Sequence, residues 1–357
     1  MKQKIGNTKK TALITIITCA LFFALALLVL CGIMVGSANL RIDTILKTLA
    51  KSLPLVGERL EFKVNEFDQM IILQLRLPRI ILALLVGAGL SMAGVVFQAL
   101  FRNPLAEPFV IGTSSGAAFG AALAIVFQIN LGLVTLGPFS LNSLPLLAFA
   151  GALGTTLLVY RLAKVGGKPR ITLLLLAGIA VSTFISSLTS TLMILNKEDL
   201  QRIILFTMGG FSTGRWSDVF NILPYVLLTM VFLSSYSREL DILLLGEEKA
   251  HQLGVNLEQL QKILVFSASL LVAATVSAGG VIGFVGLVVP HMTRLLVGAE
   301  HKVLLPLSAL AGGVFLLLAD TIARTVIAPV ELPVGIITSL MGAPFFLYLL
   351  RKKKGLA

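Results

Sequence analysis

Between Thr11 and Gly36 the chain runs for 26 residues without one charged side chain. About 20 apolar residues suffice to cross the hydrocarbon of a bilayer, so this run alone restricts the fold more than any other feature. Inside lipid every backbone N–H and C=O must be satisfied within the protein, and an apolar run of that length can do so only as a helix. Comparable runs follow near 79–101, 110–129, 144–161, 171–195, 219–235, 263–281, 282–299, 303–323 and 334–350. The sequence therefore predicts an all-α integral membrane protein with about ten transmembrane helices. Composition agrees: 57% of the 357 residues are hydrophobic and 13% charged, where soluble domains carry about 25% charged residues. The first run follows "MKQKIGNTKK", as a signal peptide would. It is much longer than the ~7–15-residue core of such peptides, so it reads as a retained first helix.

Charge assigns the sides. With ten spans, the N-terminus, the 102–109, 162–170, 236–262 and 300–302 connections and the C-terminus share one side. Together with Arg161 and Arg294 at helix ends they hold 18 Lys+Arg against 7 Asp+Glu, and the other side holds 11 against 10. Basic loops favour the cytoplasm, which predicts that both termini are cytoplasmic. The expected organisation is a cytoplasmic tail over 1–10, a membrane domain over 11–350 and a basic cytoplasmic tail over 351–357. Within the domain, 37–75 forms a long extracytoplasmic loop and 236–262 a cytoplasmic one. The net charge of +12 reflects this sidedness, and no nucleic-acid partner is expected. Cys19 and Cys31 lie about 18 Å apart along one helix, too far for a disulfide.

The eighth run, "GFVGLVVPHMTRLLVG", is short and holds Pro290, His291 and Arg294; it reads either as a span or as a re-entrant segment. Small residues recur in "GAGLSMAG", "GTSSGAAFGAA" and "SAGGVIG", which allow close helix approach and suit the interrupted helices of transporters. A faint internal echo relates "SMAGVVF" (91–97) to "SAGGVIGF" (277–284). No metal-ligand spacing joins His251, His291 and His301, and no phosphate loop of the GxxxxGK[ST] type occurs. The sequence thus predicts no catalytic residue, no metal site and no cofactor on this chain. Ionisable groups inside spans are few, His291 and Asp320 among them, and an ion-coupled secondary transporter, the alternative class, normally needs such groups. Uphill transport would then draw its energy from another subunit.

"GEEKAHQLGVN" (246–256) stands out in this setting. It reads as a short charged helix from Glu247 to Leu253 stopped by Gly254. It is either a solvated connector or a docking element for a soluble partner.

Ordered blocks run from residue 75 onward: "LRLPR" (75–79), "GAGLSMAGVVFQALFRNPLAEPFVIGTSSGAAFG" (87–120), "LLLAGIA" (174–180), "MGGF" (208–211), "GEEKAHQLGV" (246–255), "GFVGLVVPHMTRLLVG" (283–298), "LLLADTIAR" (316–324) and "ELPVGIITSLMGAPFFLYLL" (331–350). In these blocks the chain resembles the permease subunits of ABC importers for iron chelates, haem and cobalamin (the FecCD/BtuC type). The resemblance implies the architecture of a type II importer permease, with ten helices per subunit, in the cytoplasmic (inner) membrane of a prokaryote. It also implies partners: a second permease copy or paralogue, two ATP-binding-cassette subunits that hold ATP and Mg, and an extracytoplasmic substrate-binding protein. The cargo would be a metal chelate, an iron(III)-siderophore foremost, with haem or cobalamin as the other options.

Residue roles follow from that resemblance. Gly246, Glu247, Glu248, Ala250, Leu253 and Gly254 would form the helix that couples to the ATPase, Ala250 and Gly254 permitting close approach and the charged residues making polar contacts. Arg76, Arg79 and Arg324 would dock carboxylates of the binding protein, a task suited to the planar guanidinium fork. Asp320, one turn before Arg324, would hold it in place. Gly167, Pro169, Arg170 and Thr172, in the turn between the fourth and fifth spans, would form a cytoplasmic gate or serve as ordinary basic anchors. The 37–75 segment matches no block of the family.

Overall fold

The computed structural model describes residues 2–36, 40–52, 65–129, 134–136, 139–165 and 168–354. Fifteen α-helices dominate them, beside a π-helical turn, a 3₁₀ turn and two small antiparallel hairpins. Seven helices are long and apolar enough to cross a membrane, and three shorter apolar ones, Thr113–Val126, Val285–Val297 and Val334–Tyr348, fall on the third, eighth and tenth predicted spans.

The central post is α4 (Leu77–Leu100), buried on nearly every side. Around it pack α14 (His301–Thr325), α12 (Leu257–Gly279), α13 (Val285–Val297) and α9 (Trp216–Ser235). A second layer joins α5 (Thr113–Val126), α6 (Ser143–Leu162) and α7 (Ile171–Leu195), with α6 also touching α12. The first helix, α1 (Lys2–Met34), lies on α14 with apolar side chains such as Phe22 and Leu27 exposed, and α15 (Val334–Lys354) packs on α13 and α14. The basic stretches at the two ends of the chain are thus the ends of α1 and α15. Large apolar side chains such as Phe23, Phe184, Leu228 and Leu347 stay exposed, which in water would be a liability and in lipid is not.

Glycine permits the tightest approaches. A Cβ on Gly94 of α4 would lie 1.9 Å from the carbonyl oxygen of Gly286 in α13, and one on Gly87 would lie 2.3 Å from that of Gly312 in α14. Backbones meet where side chains would otherwise separate them.

The structure departs from the sequence reading in three places. The second span begins well before residue 79: α3 (Glu66–Met70), capped by the Asn65 side chain, runs through a π turn (Ile71–Arg76) into α4 without interruption. The π turn answers a local problem. Proline at 78 has no N–H to give, and Leu77 N–H bonds back to Ile72 O, so the Leu73 carbonyl has no helical donor. The indole Nε1–H of Trp216 donates to it at 2.8 Å. Within the predicted 37–75 loop the chain also forms α2 (Ile42–Lys51), which buries Ile45 and Thr48. Second, the connection 196–215 carries α8 (Leu200–Met208), which enters the bundle and stops inside it. Third, the two echoing stretches are not counterparts: 91–97 is continuous helix within α4, whereas 277–284 straddles the break between α12 and α13.

Gly94→Val is expected to destabilise the protein by roughly 1–3 kcal/mol or more through overpacking, read as a lower unfolding midpoint in detergent. Gly154→Ala, where an added Cβ meets nothing within 4 Å, is expected to leave the midpoint unchanged.

Candidate functional site

Three zones concentrate polar and broken structure in an otherwise apolar bundle. The first is a buried ion cluster at one end, here called the Arg79 end. Arg79 Nη2 and Nε bond both oxygens of Asp320 at 2.9–3.2 Å, and Nη1 bonds Glu331 at 2.7 Å. Arg324 Nε lies 3.2 Å from Asp320, the predicted i,i+4 contact. Its Nη1 donates to the carbonyls of Gly32 and Val35, while Arg76 donates to those of Ile33 and Met34. A helix leaves its last carbonyls unpaired, and cations are favoured there; two arginines together close the C-terminus of α1. Gly36 makes room, since a Cβ there would sit 2.6 Å from Arg76 Nη2. The three arginines predicted to dock a partner are thus only 6–9% exposed, and each is engaged inside the chain.

The second zone is a node of interrupted helices. The end of α8, the 280–284 break between α12 and α13 and the start of α15 meet within the bundle. Gly210 N–H donates to Gly279 O at 2.8 Å, Val281 N–H to Phe206 O at 3.2 Å and Val334 N–H to Gly209 O at 3.0 Å. Gly209 and Gly280 take φ of 66° and 69°, a region open to glycine. A Cβ on Gly335 would lie 2.2 Å from Met208 O. On the Arg79 side of this node lies a cavity of about 370 Å³, which Arg79, Arg202, Gly280 and Glu331 help to line. Beside it a cleft of about 540 Å³ is walled by Met208, Val281, Gly283 and Ser339.

One residue of this node escaped the sequence reading. Glu107, counted there in a loop, accepts the N–H of Phe284 at 2.8 Å and so caps α13. Only the pairing "NPLAEP" with "GGVIGF" could have hinted at it, and 177 positions separate the two residues. Nearby, Gln98 Nε2 donates to Leu287 O at 3.2 Å, and Arg294 Nη1 donates to Gln98 Oε1 at 2.8 Å.

The third zone lies at the opposite end. Helix α11 (Glu247–Gln252) begins after Gly246, whose φ is 109°, and closes on Gly254 in the left-handed region. Val255 N–H bonds Ala250 O and Gly254 N–H bonds His251 O, the 6→1 and 5→2 pair of a Schellman stop. Leu253 caps the helix rather than belonging to it. Glu248, Lys249, Leu253 and Gly254 are exposed, but Ala250 is fully buried. Ala250 therefore seats α11 on this chain's own body, contrary to the expected contact with a partner. Arg170 and Thr172, at the start of α7, face the same region: with His251, Gly254 and Glu258 they line a cleft of about 900 Å³. Pro169 pairs with Lys164 in the preceding hairpin, and Gly167 lies outside the described residues. Arg170 and Thr172 of the predicted gate and Gly254 of the predicted coupling segment thus border one space.

Apolar spans, helices broken inside the bundle and cavities at the break define a membrane transport permease. Residues 24–352 match the FecCD transport family. The cobalamin import system permease protein BtuC of Halobacterium salinarum is 46% identical over 295 residues, 83% of this chain and 77% of that protein. The hemin transport system permease protein HmuU of Yersinia pestis is 41% identical over 289 residues, 79% of this chain and 83% of that one. A solved metal-chelate type ABC transporter in an inward-facing conformation superposes with a TM-score of 0.79 at 35% identity, covering 95% of this chain and 99% of its own. The chain belongs to the FecCD transport family.

Asp320 is the charge on which the cluster turns. Asp320→Leu leaves Arg79 and Arg324 buried without their shared carboxylate, with an expected cost of about 3–5 kcal/mol. Glu331→Gln should cost far less, because that side chain is 42% exposed and solvent screens it. Unfolding midpoints of the two variants in detergent make the comparison.

Proposed function

We propose that this chain is the permease subunit of a binding-protein-dependent ABC importer that carries a metal chelate across the cytoplasmic membrane of a prokaryote. It works as a pair with a second copy or paralogue, with two ATPase subunits on the side of α11 and a binding protein at the Arg79 end. The observation that carries this reading is α11: a short charged helix, closed on both sides by left-handed glycines, exposed and seated beside the cleft that holds Arg170 and Thr172. A bundle has no packing reason to display such a helix, whereas a soluble motor needs a rigid handle. Movement of the handle would reshape the cleft, and so the gate, directly.

The chelate class rests on family membership and on the cargo named for its relatives, cobalamin for one and hemin for another. Among chelates the proposal takes in an iron(III)-siderophore, haem and a corrinoid, bulky cargoes that a pathway of small and apolar residues would pass without holding. Ion coupling is disfavoured because Asp320 is balanced by Arg79 and Arg324, which leaves no open carboxylate there to load and unload a cation.

Co-expression with the ATPase and binding protein tests the proposal. Charge reversal at Glu247 and Glu248 together should leave membrane insertion intact, since α11 stands exposed and its Gly254 stop is untouched, yet abolish the ATPase response to loaded binding protein. An unchanged response overturns the coupling role of α11.

Docking at the Arg79 end is proposed to act through the excess positive charge of Arg76, Arg79 and Arg324 over Asp320 and Glu331. Reversing buried arginines would also unpick α1, so salt gives the cleaner measurement. Binding-protein affinity should fall severalfold as ionic strength rises from about 0.05 to about 0.5 M, because the screening length is about 10 Å at 0.1 M. Salt-independent affinity would move the docking surface elsewhere.

A further inference from the structure

Glu107 stands on a turn that is fixed at every step. Leu105 N–H donates to Asn103 Oδ1 at 3.0 Å, Ala106 N–H to Asn103 O at 3.0 Å, and Pro108 closes so tightly on Gly286 that a Cβ on that glycine would lie 2.6 Å from Pro108 Cγ. This turn leaves the end of α4 and folds back into the bundle. Gly286 packs against Gly94, six positions before α4 ends at Leu100, which is about 9 Å of helix. The carboxylate therefore reaches α13 at depth, although its neighbours in sequence belong to a connecting loop.

At α13 the carboxylate does what the local chain cannot. Phe284 takes φ of 69°, which a non-glycine residue seldom adopts, and no side chain of the break itself caps the helix. An anion at a helix N-terminus meets unpaired N–H groups and the positive end of the dipole. Glu107 Oε1 accepts the Phe284 N–H and lies 3.6 Å from where a Cβ of Gly283 would stand. Gly283 walls the cleft beside the node, and Gly342 of α15 packs directly on the Phe284 ring.

We infer that Glu107 is a positioning residue for translocation: its carboxylate sets where α13 begins, and the 101–112 turn is the lever that moves the broken wall of the cleft. The inference rests on the permease reading for its purpose, but the geometry is tested on the chain alone. Displacing the turn pulls the start of α13 and with it Gly283. The second tie, from Gln98 to the first-turn carbonyls of α13 and from Arg294 back to Gln98, keeps α13 aligned on α4 while its N-terminus is held.

Hydrogen–deuterium exchange of the full-length protein in detergent reads the cap directly. Wild-type Phe284 N–H should be protected. Glu107→Ala should speed its exchange roughly ten- to hundredfold, the equivalent of one lost charge-assisted hydrogen bond. Glu107→Asp, one methylene short, should behave like Glu107→Ala, whereas Glu107→Gln, whose amide oxygen reaches the same N–H, should restore protection. In parallel, Ser339→Cys in a chain with Cys19→Ser and Cys31→Ser should react with N-ethylmaleimide at a rate that Glu107→Ala alters severalfold and Glu107→Gln does not. Equal exchange in Glu107→Asp and wild type, or a Glu107→Gln variant as loose as Glu107→Ala, overturns the proposal. If Glu107→Ala does not fold, the Asp–Gln pair carries the test. A wild-type Phe284 N–H that exchanges like a free peptide amide overturns it without any substitution. These readouts need no partner, so their failure leaves the importer reading standing, and failure of the ATPase response leaves them untouched.

Discussion

The bidentate pair of Arg79 with Asp320 fixes the frame on which the rest is built. It joins α4 to α14, the two helices whose backbones meet at Gly87 and Gly312. Through Arg324 the same carboxylate reaches α1, and through Arg76 the closure of α1 returns to α4. A buried pair of this kind is weak evidence for added stability, since desolvation offsets much of the attraction. Its value is geometric: the ion pairs and the carbonyls at the end of α1 tie α1, α4 and α14 together at one point. Helices in lipid have little hydrophobic reason to choose one partner over another, so such a cluster selects the packing.

Away from that frame, the helices are interrupted. Three helix ends meet at the node, tied by single backbone bonds from Gly210 to Gly279, from Val281 to Phe206 and from Val334 to Gly209. Chain breaks of this type are tolerated at membrane depth because they face cavities. The exposed helix α11 and the start of α7 border one cleft at the far end. Under the proposed function, a cross-braced end, an interrupted middle and an exposed helix are the parts that alternating access needs.

Much of this was legible in the sequence, for stated reasons. Length and hydropathy place a helix at each of the ten spans, because lipid admits little else. Gly254 announced the end of α11 because a left-handed stop demands that residue. What escaped notice shares one cause. Helix α8 is nine residues long, between the polar stretch 196–199 and the glycines 209 and 210, so a span-length window passes over it. Glu107 looks like a loop residue until the turn folds back and meets Phe284. The arginines looked like surface groups because helix-end arginines usually are, and only the packing of α1 against them turned their donors inward. Position along the chain predicts depth well for long helices and poorly for the segments that interrupt them.

The π turn before Pro78 carries a consequence for how such a chain can change over generations. One surplus residue in that turn shifts everything before it by about 100° relative to α4. It acts as a phase adjuster between the membrane post and α3. A residue lost from 71–76 would straighten the helix, withdraw the Leu73 carbonyl from Trp216 and turn α3 to a new bearing.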